Sequence, residues 1–277
     1  MRPMQYMKLV KLNSKLLILS IVLLWSLKAK GQSLQENSRL SLPFQPTTIS
    51  IDRQGFLYIA NKEGTIHKLN KQGEIQSTFS PQKRGEPTIL ETWQGLRVFV
   101  FYKAFQEYLL LNRFLSNENR INTALEDLSA FIGLATLSND NNLWLFNDRD
   151  LILTKRDINN QEVLFEAQLN LGTEFTRLEA YYMRAYQSYL FISTNNGILL
   201  FDNLGNYLDK FVDEKTEFFS FMNDSLLYSV SNTLHFISIK EQIKREIKLP
   251  ISPQFILTEN NQVFAFKGTD LIIYTIE

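Results

Sequence analysis

Residues 47–79 read TTISIDRQGFLYIANKEGTIHKLNKQGEIQSTF. Four short apolar runs stand here, Thr47 to Ile51, Phe56 to Ala60, Thr65 to Leu69 and Glu74 to Phe79. They are separated by Asp52-Arg53-Gln54-Gly55, Asn61-Lys62-Glu63-Gly64 and Asn70-Lys71-Gln72-Gly73. Strand-length apolar runs joined by tight turns bearing Gly or Asn predict a four-stranded antiparallel meander. Apolar residues fall at consecutive as well as alternate positions. Both faces of this sheet are therefore expected to be covered.

The pattern recurs along the chain. Its second strand is Phe56-Leu57-Tyr58-Ile59, then Arg97-Val98-Phe99-Val100, Leu143-Trp144-Leu145-Phe146, Tyr189-Leu190-Phe191-Ile192, Leu226-Leu227-Tyr228-Ser229 and Val263-Phe264-Ala265-Phe266. Successive quartets start 41, 46, 46, 37 and 37 residues apart. A repeat of that length, built from short strands, predicts an all-β, six-bladed β-propeller with one four-stranded antiparallel sheet per repeat. The later blades are expected at about Pro87 to Ile121, Phe131 to Leu169, Phe175 to Val212 and Phe218 to Leu249, with the last from Pro253. Phe131, Phe175, Phe218 and Phe255 open first strands and are read as wedges between blades. Capping-box spacing at Thr123-Ala124-Leu125-Glu126 allows one helical turn between blades two and three.

The sixth repeat stops after three strands, at Glu277, and Leu34 to Phe44 is a strand-like piece without a repeat of its own. If the N-terminal piece supplies the missing outer strand, the ring closes and no sheet edge is left raw.

Residues 1–31 stand apart. Arg2, Lys8, Lys11 and Lys15 precede an uncharged, mostly apolar run from Leu16 to Leu27, and Ala29-Lys30-Gly31 follows. This is the layout of a cleavable secretory signal, with cleavage before Gln32. The rival reading is an uncleaved membrane anchor, but the run is short of the roughly 20 apolar residues of a membrane span and small residues follow it closely. No later segment approaches that length, so residues 32–277 are expected to be one exported propeller domain, periplasmic or extracellular, without a transmembrane segment.

The whole chain balances 29 basic against 29 acidic residues, but residues 1–31 hold six basic residues and no acidic one. The remainder carries 23 against 29, a net charge of −6. Nucleic-acid binding, which needs a clustered basic surface, is thereby disfavoured. The chain has no cysteine. Disulfides, thiol nucleophiles, thiolate metal sites and a lipidated cysteine are excluded.

The stretch Ile51 to Asn61, continuing through Gly64 and Leu69-Asn70-Lys71-Gln72-Gly73, resembles a blade of the six-bladed propellers grouped with the NHL-repeat, TolB-type and gluconolactonase-type proteins. Only the first blade matches in residues; the others match in rhythm. The resemblance implies the fold and leaves function open, because that group holds both enzymes and binding modules.

Little in the sequence speaks for catalysis. The two histidines, His67 and His235, fall in third strands of non-adjacent blades and read as packing residues. A gluconolactonase-like enzyme would gather carboxylates and amides round the central channel to hold a divalent cation. Asp52, Glu91, Glu179, Asp224 and Glu259, with Asn139, Asn223 and Asn260, are the available set, at turns where Asp and Asn are common anyway. No catalytic, cofactor-binding or metal-ligating residue is assigned, and no cofactor. Two aromatic clusters are candidate contact surfaces. One, from Phe99 to Tyr108, offers Tyr102 and Phe105. The other, from Tyr181 to Tyr189, offers Tyr182, Met183, Arg184 and Tyr186. Tyr and Arg are favoured at protein contacts. Propeller ligands are expected on the face formed by the strand two–three turns. The sequence thus favours an exported, non-catalytic scaffold that binds a protein or a polar ligand. A metal-dependent, lactonase-like hydrolase is the alternative.

Overall fold

A computed structural model describes residues 34–116, 118–123, 131–169 and 178–276. These contain 24 β-strands and no helix. The expected helical turn at 123–126 and the wedge Phe175 fall at least partly outside the described residues, as do residues 1–31.

The first strand is β1 (Leu34–Ser41). Blade one is β2 (Thr48–Ile51), β3 (Leu57–Ala60), β4 (Ile66–Leu69) and β5 (Ile75–Phe79). Blade two is β6 (Ile89–Glu91), β7 (Arg97–Tyr102), β8 (Glu107–Asn112) and β9 (Asn119–Asn122). Blade three is β10 (Leu134–Leu137), β11 (Asn142–Asn147), β12 (Ile152–Asp157) and β13 (Val163–Gln168). Blade four is β14 (Ala180–Tyr186), β15 (Tyr189–Thr194), β16 (Gly197–Asp202) and β17 (Tyr207–Val212). Blade five is β18 (Phe219–Met222), β19 (Ser225–Val230), β20 (Thr233–Ser238) and β21 (Lys244–Lys248). Blade six is β22 (Phe255–Glu259), β23 (Gln262–Lys267), β24 (Asp270–Ile276) and, as its outer strand, β1. All six sheets are antiparallel four-stranded meanders, and the fold is a six-bladed propeller closed by its N-terminal strand.

Closure runs from Leu34 opposite Ile276 to Ser41 opposite Asp270, with a register shift at Asn37. The Asn37 amide donates to Thr275 Oγ1 at 2.6 Å, while Arg39 pairs with Glu36 and Asp270. These ion pairs are half exposed and add little. The backbone ladder holds the seam, because most of β1 faces solvent.

One turn chemistry recurs. Asp52 Oδ1 accepts the N–H groups of Gln54 and Phe56, at 2.9 and 3.0 Å. Asn61, Asn70, Asn112 and Asp202 hold the second and fourth residues after them in the same way. The third residue after each carboxylate or amide takes positive φ: Gly55, Gly64, Gly73, Leu115 and Gly205. Glycine enters that region without a Cβ penalty. Leu115 does so at a cost, tolerated here by burial of its side chain.

First, second and third strands are buried and fourth strands are largely exposed. Two of the expected wedges meet: the Phe218 and Phe255 rings pack edge to face at 5.2 Å across blades five and six. Phe131 is half buried, with the Arg149 guanidinium 4.2 Å from its ring. His67 stacks on Phe44 at 5.0 Å and shares a 2.8 Å hydrogen bond with Thr78 Oγ1. His235 stacks on Tyr228 at 4.8 Å, with Nδ1 3.2 Å from Glu246 Oε1. Both histidines are packing residues with partnered tips.

Candidate functional site

Each inner strand runs into its strand one–two turn at the same end of the propeller. At that end, side chains from all six blades enclose a cavity of about 510 Å³. Blade one supplies Ile51, Asp52 and Arg53; blade two Trp93; blade three Asn139. Blade four supplies Arg184, Tyr186 and Gln187, blade five Ser220 to Asn223, and blade six Thr258 to Asn260. The cavity opens opposite to the strand two–three turns, where the sequence analysis expects a ligand. On that other face the polar side chains are engaged with one another: Lys103 pairs with Asp148 at 3.0 Å, and Asn147 holds the 149–150 turn.

One wall of the cavity is aromatic. Tyr186 and Phe221 stack in parallel, 4.0 Å apart, and the Tyr186 hydroxyl donates to the Asn223 carbonyl. The Arg184 guanidinium lies 5.2 Å from the Phe221 ring centre. Below this pair, Tyr182 packs on Phe218 and Phe219 at 4.8 and 5.0 Å. The tyrosines of β14 thus join blade four to blade five.

Two buried polar atoms of the lining, Arg184 Nε and Ser220 Oγ, have no hydrogen-bond partner, while the Trp93 indole bears on the Glu91 carboxylate. Arg184 is 9% exposed and Ser220 2%. Buried polar groups are ordinarily satisfied, and these two atoms lie sealed behind the cavity surface rather than on it.

Beneath the cavity lies Glu91, 2% exposed, at the end of β6. The Thr136 hydroxyl donates to its Oε1 at 2.5 Å and the Leu137 N–H to its Oε2 at 3.1 Å. Burial pushes the Glu91 carboxyl up to about 7, against the opposing pull of Thr136, Arg184, the Leu137 N–H and the Trp93 indole. Burial also raises Glu259; Lys71 counters this and Asp52 adds to it. Asp52 itself is committed to its turn and to the Tyr58 hydroxyl at 3.2 Å, with Lys68 4.0 Å away.

The sequence-derived candidates divide. Asp52, Asn139, Asn223, Glu259 and Asn260 do line the cavity. Glu179 precedes β14 and so sits at the opposite end of the inner strand. Asp224 accepts from Gln187 Nε2 at 2.7 Å. Among the described residues no three Asp, Glu or His side chains are grouped to hold a metal ion.

Of the contact-surface residues, Tyr102, Tyr182 and Met183 are buried and present almost no surface. Phe105 is half buried, stacked on Tyr102 at 5.6 Å and capped by Lys83 Nζ at 4.0 Å. Arg184 and Tyr186 line the cavity. Sequence reasoning missed Trp93 and Ser220.

It also missed a surface pattern. The exposed large apolar residues described are Ile75, Leu96, Phe114, Val163, Leu164, Leu204, Leu208 and Ile243. Leu96 lies in a strand one–two turn. The other seven lie in strand three–four turns or in the first two residues of a fourth strand. All eight therefore sit at the end of the propeller where the cavity opens. Strand order alone assigns them to that end, so this signal was present in the sequence.

No protein-family model matches the chain, and neither does any curated protein. Solved structures do. A streptogramin B lyase matches at 13% identity, covering 89% of this chain and 98% of that one, with a TM-score of 0.58. Virginiamycin B lyase from Staphylococcus aureus matches at 12%, covering 89% and 100%, with a TM-score of 0.56. The WD40 domain of Neurospora crassa Pan2 matches at 10%, covering 87% and 95%, with a TM-score of 0.57. Identities this low carry the architecture and nothing of the chemistry. The chain is a six-bladed β-propeller, similar in fold to the streptogramin-lyase propellers and to WD40 domains.

Proposed function

We propose that this chain is an exported, non-catalytic binding scaffold. Its working surface is the face that carries the strand one–two and three–four turns. The observation behind this reading is the convergence of the exposed apolar side chains and the central cavity on one face. Scattered apolar side chains on a surface are ordinary, whereas apolar tips confined to the one end of the propeller that also bears its cavity are read as a contact face. The secretory layout of residues 1–31 supports export.

The test is a capture experiment from cell envelope. Phe114→Ser, Leu204→Ser and Ile243→Ser together should abolish recovery of the proteins that the parent retains. Phe105→Ala, on the opposite face, should not. Recovery unchanged by the triple variant would sink the reading. Export is checked on the same material: the purified chain should begin at Gln32.

The alternative, a metal-dependent hydrolase, draws on the carboxylate and amide side chains of the lining. One tightly held calcium or zinc ion per purified chain, lost on Glu259→Gln, would favour it.

A further inference from the structure

We propose that the central cavity is a carbohydrate site. It takes the end of a neutral oligosaccharide whose hydroxyls meet the side-chain amides of Asn139, Asn223 and Asn260 and whose C–H faces lie against the rings of Tyr186 and Trp93. This names a ligand for the face already read as the binding surface and rests on that reading.

The amides are accessible and uncommitted. Turn asparagines elsewhere are spent on their own turns. Asn61, Asn70 and Asn112 each accept two backbone N–H groups through Oδ1, and so does Asn147. At the cavity mouth that pattern breaks. Asn139, Asn223 and Asn260 come from the strand one–two turns of blades three, five and six, and all three are exposed. Among the described residues no hydrogen bond engages their side-chain amides. Asn223 and Asn260 take φ of 52° and 53°, a backbone that glycine serves equally well, so these turns make no use of the amides.

The free groups specify the chemistry. A carboxamide sets an acceptor oxygen beside a two-proton donor. Adjacent hydroxyls of a sugar answer both, because each hydroxyl gives one hydrogen bond and takes others. A ligand that only accepts uses half of each amide, and an apolar ligand uses none.

Charge selects a neutral partner. Arg184 lies in the field of Glu91, and Asp52 is held by its turn and by the Tyr58 hydroxyl. The charged side chains of the lining left without a hydrogen bond or ion pair among the described residues are Arg53 and Glu259, one of each sign. An anion is drawn by the first and repelled by the second. The rings supply the apolar part. Tyr186 and Trp93 are half buried and border the cavity, and Phe221 stacks on Tyr186 at 4.0 Å. The Tyr186 hydroxyl is already bound to the Asn223 carbonyl, which leaves its ring as a flat surface. The negative face of an aromatic ring suits the weakly positive C–H groups of a pyranose. A cavity of about 510 Å³ matches the volume of ordinary small-ligand sites.

The test uses the full exported chain and a printed panel of short oligosaccharides. The panel holds neutral oligomers of glucose, mannose, galactose, xylose and N-acetylglucosamine, with oligogalacturonate as its anionic arm. At least one neutral oligomer should bind saturably, and oligogalacturonate about tenfold more weakly or worse. Calorimetry with that oligomer then reads the variants. Asn223→Gly and Asn260→Gly should each weaken binding about five- to tenfold, and Tyr186→Leu about tenfold. The two glycine variants keep the left-handed turn accessible, so they hold the test open if Tyr186→Leu does not fold. Asn232→Ala, on the opposite face, should leave binding unchanged. The proposal is overturned by no binding of any neutral oligomer, by preference for oligogalacturonate, or by binding indifferent to both glycine variants. Capture of envelope proteins that is lost in the apolar-tip variants, with no sugar bound by the parent, would remove this inference alone. Sugar binding with capture unaffected by the apolar-tip variants would remove the scaffold reading alone.

Discussion

Glu91 on the inner strand of blade two and Thr136 on that of blade three share a 2.5 Å hydrogen bond in the wall of the central channel. The bond ties two neighbouring blades at their innermost point, where the Leu137 N–H also reaches the carboxylate. Thr92 and Ser50 make the corresponding tie between blades two and one, at 3.0 Å.

Stability should decline with rising pH because of Glu91. Its folded carboxyl titrates at about 7 against an unfolded value of 4.5, so the folded state holds the extra proton between those values. Ionisation of the unfolded chain then favours unfolding progressively from about pH 4.5, and the loss levels off above about pH 7. The span amounts to about 3 kcal/mol. Glu91→Gln removes the slope and is the more stable protein at pH 8. Urea melts of both chains between pH 4.5 and 8 measure this. Parallel curves would refute it.

Removal of residues 34–44 should unseat the ring. It exposes the full β24 edge and takes away the chain opposite Asp270 to Ile276. Calorimetry should show a midpoint lower by 10 °C or more, roughly the effect of losing several kcal/mol, or no cooperative transition at all. A truncated chain that melts like the parent would show that the seam carries no load.

Two glycines should respond differently to alanine. Gly197 has φ of +111°, and a Cβ there would lie 1.9 Å from the Val212 carbonyl oxygen. Backbone strain and overlap combine, so Gly197→Ala should cost about 3 kcal/mol or more. Gly95 has φ of +78° with nothing near the added atom, and Gly95→Ala should cost about 1 kcal/mol. Chemical denaturation of the two variants compares the values directly.

Tyr182 fills the joint between blades four and five. Tyr182→Ala should cost about 3–5 kcal/mol by opening a cavity against Phe218 and Phe219. Tyr182→Phe keeps the ring and should stay within about 1 kcal/mol. Equal losses in the two variants would assign the role to the hydroxyl instead.

The sequence determined the blade and the number of blades, because strands and tight turns are local. The Asp52, Asn61 and Asn70 turns each pair a short polar side chain with a glycine three residues on, so blade one was legible residue by residue. Blade two puts Leu115 where that glycine stands, and blades three, five and six turn on Asn141, Asn223 and Asn260. Rhythm survived there while the motif did not. The pairing of β1 with β24 was also readable, from one missing strand and one spare. Only the tertiary structure decided which side chains meet at the axis. Arg184, Trp93, Ser220 and Glu91 come from three different blades, and no local rule orders inner-strand side chains by radius or depth. Closing the ring brings them together, and it buries Tyr182 and Met183 while leaving Arg184 and Tyr186 on the cavity wall.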